Sequence, residues 1–279
     1  MREIDARIIE KAVSELCVEA CCRLPEDVLE ALERARDLED PACAARAALE
    51  QLIENARLAA KIMRPCCQDT GMAVVFLDIG QDTHIVGDVY EAVNAGVAAG
   101  YREGYLRKSV LTPFGRHNTG SNAPGVVHIR LVPGEHIGIT VAPKGFGSEN
   151  MSRLYMLKPA QGKRGVLDAV TETVVSAGAC ACPPVVVGVG VGGTMEAAAL
   201  LAKRQLLRPL GEPSADDETR ALEVEALERV NAIGIGPMGL GGRTTALAVH
   251  IAAAPTHLAG LPVAVNMQCH ACRHAFRQI

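Results

Sequence analysis

The sequence predicts an α/β fold of the mixed α+β kind in a single domain, with a helical N-terminal segment at 1–62 followed by mixed β-sheets flanked by helices. Three observations lead to it. Apolar residues recur three and four apart over the first sixty positions. Short β-branched runs at 73–79 and 185–189 then alternate with helical patterns. No fixed-period repeat, low-complexity tract or linker longer than 211–215 divides the chain.

Ile4, Ile8, Ile9, Ala12, Val13, Leu16 and Ala20 mark a first helix, and two more follow Pro25 and Pro41. Residues 73–79 read as a buried strand ending at Gly80, and 88–100 as a helix with small apolar residues on one face. The alternating runs 126–131 and 136–141, joined by Val132-Pro133-Gly134-Glu135, predict a β-hairpin. Helices at 167–177, 195–206 and 217–231 and strands at 185–189, 246–252 and 263–265 complete the pattern.

With 49% hydrophobic residues in 279, the chain can bury a sizeable core, and with 4 Phe, 4 Tyr and no Trp that core must be aliphatic. A net charge of −4 lacks the positive excess that nucleic acid requires. No apolar run reaches the length of a membrane span, so no membrane is expected. The ten cysteines are too few for a disulfide scaffold in a chain this long, and no signal peptide opens it. A reducing cytoplasm is therefore expected, with the thiols reduced or bound to metal.

Two glycine clusters stand out. Gly188-Val189-Gly190-Val191-Gly192-Gly193 follows a strand and opens a helix, as a dinucleotide site would, but the chain then runs into the loop 208–213 where such a unit needs a second strand. A close-packed strand-to-helix turn is the better account. The cluster at 234–244 lacks the Lys-Ser/Thr ending of a phosphate loop, yet its backbone N–H groups suit an anion.

Cys17 and Cys21 lie four apart on an apolar helix face, and they and Cys43 read as small hydrophobes. The later groups, Cys66-Cys67, Cys180-Ala181-Cys182 and Cys269-His270-Ala271-Cys272, adjoin turn formers, where loops present ligands. Spacing leaves structural zinc, scattered core thiols and an iron–sulfur cluster with one open iron all standing. Arg107, Arg116, Lys144, Arg153, Arg243 and Arg273 are the cations that could take a carboxylate, and the loop 144–150 reads as a binding loop.

At these residues the sequence resembles the class I, iron–sulfur-dependent fumarate hydratases, specifically the α subunit of the two-subunit form. The resemblance spans nearly the whole chain. It is carried by Cys67-Gln68-Asp69-Thr70-Gly71, Arg116-His117-Asn118-Thr119-Gly120, Lys144 to Asn150 with its GSEN ending, Cys182-Pro183-Pro184, Gly190-Val191-Gly192-Gly193-Thr194, Gly234 to Gly242, Pro255-Thr256-His257 and Asn266 to His274.

The resemblance implies an oxygen-sensitive four-iron, four-sulfur cluster (4Fe-4S) held by Cys67, Cys182 and Cys269, with Cys66, Cys180 and Cys272 as neighbours. It puts Gln68, Arg107 and Gly147 in the substrate pocket and Asp69 and His257 among the catalytic residues. Arg107 would pair with a substrate carboxylate, and the open iron would polarise the leaving C–O bond of malate. The base is expected on a swivelling domain absent here and carried by a separate β subunit. This chain is then inactive alone, and α would pair with itself within an assembly of two α and two β chains. Fumarate and malate are the favoured substrates, because tartrate dehydratase α subunits depart from the GSEN and Gly-Gly-Thr segments. Tartrate or mesaconate-type acids follow, and a zinc-binding or structural subunit is the reading of another class.

Overall fold

The computed structural model describes residues 2–279. In chain order it forms β1 (Arg2–Asp5), α1 (Ala6–Cys22), α2 (Glu26–Leu38), α3 (Ala44–Ile62), β2 (Met72–Gly80), β3 (Thr83–Val86) and α4 (Val89–Glu103). There follow β4 (Val126–Val132), β5 (Ile137–Lys144), α5 (Phe146–Glu149), β6 (Arg153–Leu157), α6 (Gly162–Ala177) and β7 (Val185–Gly193). The chain closes with α7 (Met195–Gln205), α8 (Asp217–Ala232), β8 (Ala246–Thr256), β9 (Leu261–Gln268) and β10 (Ala275–Gln278). The fold is α/β, as the periodicities predict. Two compact units, interleaved along the sequence, make it up: one takes the chain up to Pro25, Asn55–Gly145 and Arg273–Ile279, the other Glu26–Glu54 and Phe146–Cys272.

The first unit is built on a sheet in the order β10-β5-β2-β4. β2 is buried along nearly its whole length, which suits a strand paired on both edges, with β4 parallel to it and β5 antiparallel. The hairpin expected from 126–141 is therefore not formed, because β2 lies between its two arms. β4, mostly exposed or half-buried, takes the edge instead. The connection between β4 and β5 wraps the end of β2, where Gln81 N–H donates to Val132 O and Asp82 N–H to Gly134 O, both at 2.9 Å. β1 pairs in parallel with β3, so the helix expected from Ile4 begins only at Ala6, with Asp5 as its N-cap. α1 lies against α4 at the closeness that Gly96 and Gly100 permit: a Cβ at either would sit 2.5 Å from a carbonyl oxygen, Glu10 O or Ser14 O. Ile9, Val13, Leu16, Val93, Val97, Val75, Leu77 and Ile139 fill the core.

In the second unit the order is β6-β9-β7-β8, with β7 parallel to β8 and antiparallel to β9. Val187, Val189, Val263, Val265 and Met267 pack with residues of α6 and α8, including Val170, Val174, Ala226 and Val230. The expected glycine turn belongs instead to β7, which continues to Gly193 with an irregularity in its pairing at Gly192 and Gly193. Its glycines are a seat for α7: a Cβ at Gly188 would fall 2.2 Å from Ala202 O, and one at Gly190 2.1 Å from Ala198 O. Among the described residues no helix is long and apolar enough to cross a membrane.

Candidate active site

In the first unit the loop between α3 and β2 carries Cys67, Gln68 and Asp69, and its backbone is tied down on several sides. Cys66 N–H donates to Cys21 O at the end of α1 at 3.0 Å, and Asn55 Nδ2 donates to Cys66 O at 2.7 Å. The buried Tyr101 hydroxyl lies 2.7 Å from Thr70 O and 3.0 Å from Gly71 O, and Asn122 Nδ2 donates to Gly71 O at 3.0 Å. With the carbonyls so engaged, Gln68 is exposed and Cys67 and Asp69 are half-buried.

Asp69 Oδ1 accepts the Gly71 N–H at 3.0 Å, and the buried Arg273 guanidinium donates to the Asp69 carbonyl and, from Nε, to Pro143 O at 3.3 Å. A Cβ on Gly145 would stand 3.1 Å from Asp69 Oδ2, so this small residue leaves the carboxylate its place. Thr70 Oγ1 donates to Arg107 O at 2.8 Å, which sets the exposed Arg107 on an adjoining loop. Four of the expected site residues, Cys67, Gln68, Asp69 and Arg107, thus lie on two joined loops.

The second unit supplies another group at one end of its sheet. Cys182 follows a 3-10 turn in left-handed conformation (φ 53°, ψ 64°), and its carbonyl accepts the His270 N–H at 3.2 Å. Cys182 stands just before β7 and Cys269 just after β9, whose Gln268 pairs with Val186, so the two half-buried cysteines occupy the same end. Gly147, exposed on α5, faces Cys180 O, which would lie 3.8 Å from a Cβ built on the glycine.

One network here has no counterpart in the sequence reading. Glu149, two residues after Gly147, is ion-paired to Lys203 on α7 and accepts Asn266 Nδ2 at 2.8 Å, while Asn266 also donates to Ser152 Oγ at 2.7 Å. It fixes the α5 loop to the strand that leads into Cys269. Glu149 lies within the loop 144–150 and Asn266 opens the motif that runs to His274, but nothing local to Lys203 signals it or the contacts that join the three, since these are made by tertiary packing.

His257 lies elsewhere. It follows Thr256, which pairs with Gly193 at the far end of β7, so the length of that strand, about 25 Å, separates it from Cys182 and Cys269 of its own unit. It is exposed, its Nδ1 accepts the Ala259 N–H at 3.2 Å, and it borders a largely apolar cavity of about 440 Å³ together with Val166, Leu222 and Leu261.

Other candidates are accounted for structurally. Burial pushes the Cys21 thiol up to about 12 and raises that of Cys17 further, so both stay protonated core groups. Cys43 is half-buried, and its sulfur accepts the Arg46 N–H at 3.4 Å near the start of α3. Lys144 and Arg273 are buried rather than offered to solvent. The glycine cluster at 234–244 does hold an anion, the protein's own: Glu39 accepts the N–H groups of Arg243 and Thr244. Among the described residues no set of three or more His, Cys, Asp or Glu side chains is gathered as a metal-binding group.

The half-buried thiols of Cys67, Cys182 and Cys269, all on loops, are soft donors of the kind that iron–sulfur clusters take, and the bond from His270 to Cys182 O already joins two of their loops. The donor set fits such a cluster.

Residues 10–278 match the family model for fumarate hydratase (Fumerase), and the chain belongs to that family. A protein of Methanocaldococcus jannaschii provisionally named L(+)-tartrate dehydratase subunit alpha is 43% identical over 278 residues, 97% of each chain. L(+)-tartrate dehydratase alpha subunits of Escherichia coli and Shigella sonnei are 32% and 31% identical over 255 residues, 90% of this chain and 84% of each relative.

Proposed function

We propose that this chain is the α subunit of a dicarboxylate hydro-lyase that interconverts fumarate and (S)-malate and works only with a separate β subunit. The observation that carries the reading is the His270–Cys182 bond, which sets two of the three cysteines of the resemblance at one end of a sheet. Cys67, Cys182 and Cys269 would hold a four-iron, four-sulfur cluster. When bound, that group supplies a Lewis acid at its one iron without a cysteine.

The chain's own residues bind and orient the substrate. Arg107 takes one carboxylate in the two-pronged geometry of guanidinium, and Gln68 and the backbone at Gly147 supply further polar contacts. Asp69, held in place by its Gly71 contact, handles the proton of the hydroxyl that leaves or enters. The base that removes the carbon-bound proton comes from the β subunit.

His257 stands about 25 Å from the Cys182 and Cys269 end of its own unit, too far to act beside those residues. It therefore acts in the site of a second copy of the chain, which supports pairing of α with α in an assembly of two α and two β chains. The working compartment is the reducing cytoplasm.

Tartrate is the second reading, favoured by the names of the relatives at 31–43% identity. Anaerobic reconstitution with iron and sulfide, then assays with malate, fumarate and L-tartrate with and without the β partner, tests both. About four irons per chain and malate turnover only in the mixture support the first reading. Turnover of tartrate alone selects the second, and a colourless protein with tightly bound zinc overturns both.

A further inference from the structure

Two thiols that the proposed chemistry leaves unused, Cys22 and Cys66, lie across a single backbone hydrogen bond. Cys22 is the last residue of α1, and Cys66 immediately precedes the proposed ligand Cys67. Cys66 N–H donates at 3.0 Å to Cys21 O, the oxygen of the peptide group that ends at the α-carbon of Cys22. Standard backbone dimensions then hold the α-carbons of Cys22 and Cys66 about 5–6 Å apart, within the window that a disulfide spans.

The neighbouring cysteines are less suited. Cys21 sits in the core of the first unit, its Sγ donating to Thr70 O at 3.7 Å. One residue along a helix turns a side chain by roughly 100°, which takes Cys22 off that face. There it is still buried, and the Arg64 and Arg23 guanidiniums act on it electrostatically, as does Cys66. Cys22 is shielded from solvent, whereas Cys66 is half-buried on a loop. A half-buried loop thiol backed by a buried partner is a layout that suits an attacking and a resolving cysteine.

We propose that Cys66 and Cys22 form a peroxide-responsive disulfide site. Cys66 sulfur attacks hydrogen peroxide and becomes a sulfenic acid as the O–O bond breaks and one water leaves. The Cys22 sulfur then displaces hydroxide from that sulfenic acid, closing the S–S bond and releasing a second water. Two thiols and one peroxide become one disulfide and two waters. Oxidation of Cys66 then stops at a reversible stage one residue from Cys67, and the closed bridge pins the loop to α1.

Peptide mapping of the full chain tests the site without reference to activity, so its failure is distinct from failure of the hydro-lyase reading. Protein treated with one equivalent of hydrogen peroxide should lose 2 Da. A crosslink between Cys22 and Cys66 should appear in fragment spectra and vanish with dithiothreitol. In C22S the same dose should carry Cys66 to irreversibly oxidised forms at several times the wild-type yield, and in C66S no crosslink to Cys22 should form. A wild-type crosslink joining Cys66 to Cys67 or Cys21, or a Cys66 oxidised equally in wild type and C22S, would overturn the proposal. Mapping of the wild type decides the matter even where a serine variant fails to fold.

Discussion

Glu39 accepts the backbone N–H of Arg243 at 2.7 Å, and the same oxygen accepts that of Thr244 at 3.0 Å. The acid is buried, 4% exposed, and it arrives from just beyond α2, two hundred residues away in sequence. Gly242 keeps the approach open, since a Cβ there would lie 2.9 Å from the Glu39 carboxylate on a backbone with φ of +125°. The glycine-rich turn thus has the anion-binding character its composition predicts, satisfied from within the fold. Replacing Glu39 by Ala leaves the buried Thr244 N–H and the more accessible Arg243 N–H without this acceptor, and the expected loss is about 1–3 kcal/mol in urea unfolding. Glu39→Gln keeps a neutral acceptor and should lose less; equal stability of wild type and E39A would rule the role out.

The β7–α7 contact is the second point at which a single atom matters. At Gly190 an added methyl would meet backbone on α7, which cannot move like a flexible side chain. Gly190→Ala should cost about 1–3 kcal/mol or more. Gly134 has open space around its Cβ direction but a φ of +101°, so its substitution is a test of backbone strain alone. A smaller loss at Gly134 than at Gly190 is the result that the packing argument requires, measured by thermal or urea unfolding of both.

His250 gives a dependence on pH. It is buried with Nδ1 donating to Gln205 O at 3.1 Å, and burial first, then the Arg208 cation, lowers its pKa. The unfolded chain binds a proton at this position near pH 6.5 while the folded one resists it, so the unfolded state holds more protons below that pH. Its effect is absent above about pH 6.5, and stability falls as pH drops from there toward the lowered folded pKa. His250→Asn keeps an N–H for Gln205 O without a titrating ring. The fall in urea midpoint between pH 7.5 and 5.5 should be smaller in that variant, and an unchanged fall would exclude His250 as its source.

What the sequence made legible follows the range of the interactions concerned. β2, β7, α6 and α8 were readable because their signals are local: β-branched runs and apolar spacing that one segment carries alone. The arms of the expected hairpin, at 126–131 and 136–141, also read as strands, but their pairing depends on whether a third strand competes for the edge, and β2 does. The same division holds at the site. Cys67, Gln68 and Asp69 are contiguous and Cys182 and Cys269 adjoin turn formers, so short motifs that carry the resemblance can single them out as candidates. The Lys203 and Asn266 partners of Glu149, the Arg273 contacts near Asp69 and the far position of His257 depend on chain crossings that no local pattern encodes.

Removal of thiols separates ligands from core. Serine at Cys67, Cys182 or Cys269 should reduce reconstituted iron from about four per chain to a residual level. Cys43 is expected to be replaceable without loss of iron, because its sulfur serves the start of α3. Iron counting together with absorbance near 400 nm reads both. Iron lost from the Cys43 variant and kept in the Cys182 variant would reverse the assignment.

The distance of His257 from Cys182 makes the second copy testable by mixing. If each site takes Asp69 from one chain and His257 from another, a dimer of one D69N chain and one H257N chain holds one intact site and one doubly altered site. If both residues came from the same chain, every site in that dimer would carry one lesion. Each variant alone should be nearly inactive with the β partner. Co-refolded in equal amounts, they form mixed dimers about half of the time, so about a quarter of wild-type activity should return under the two-copy arrangement. Recovery no higher than the sum of the separate variants would place His257 and Asp69 in the same chain's site and overturn the two-copy arrangement.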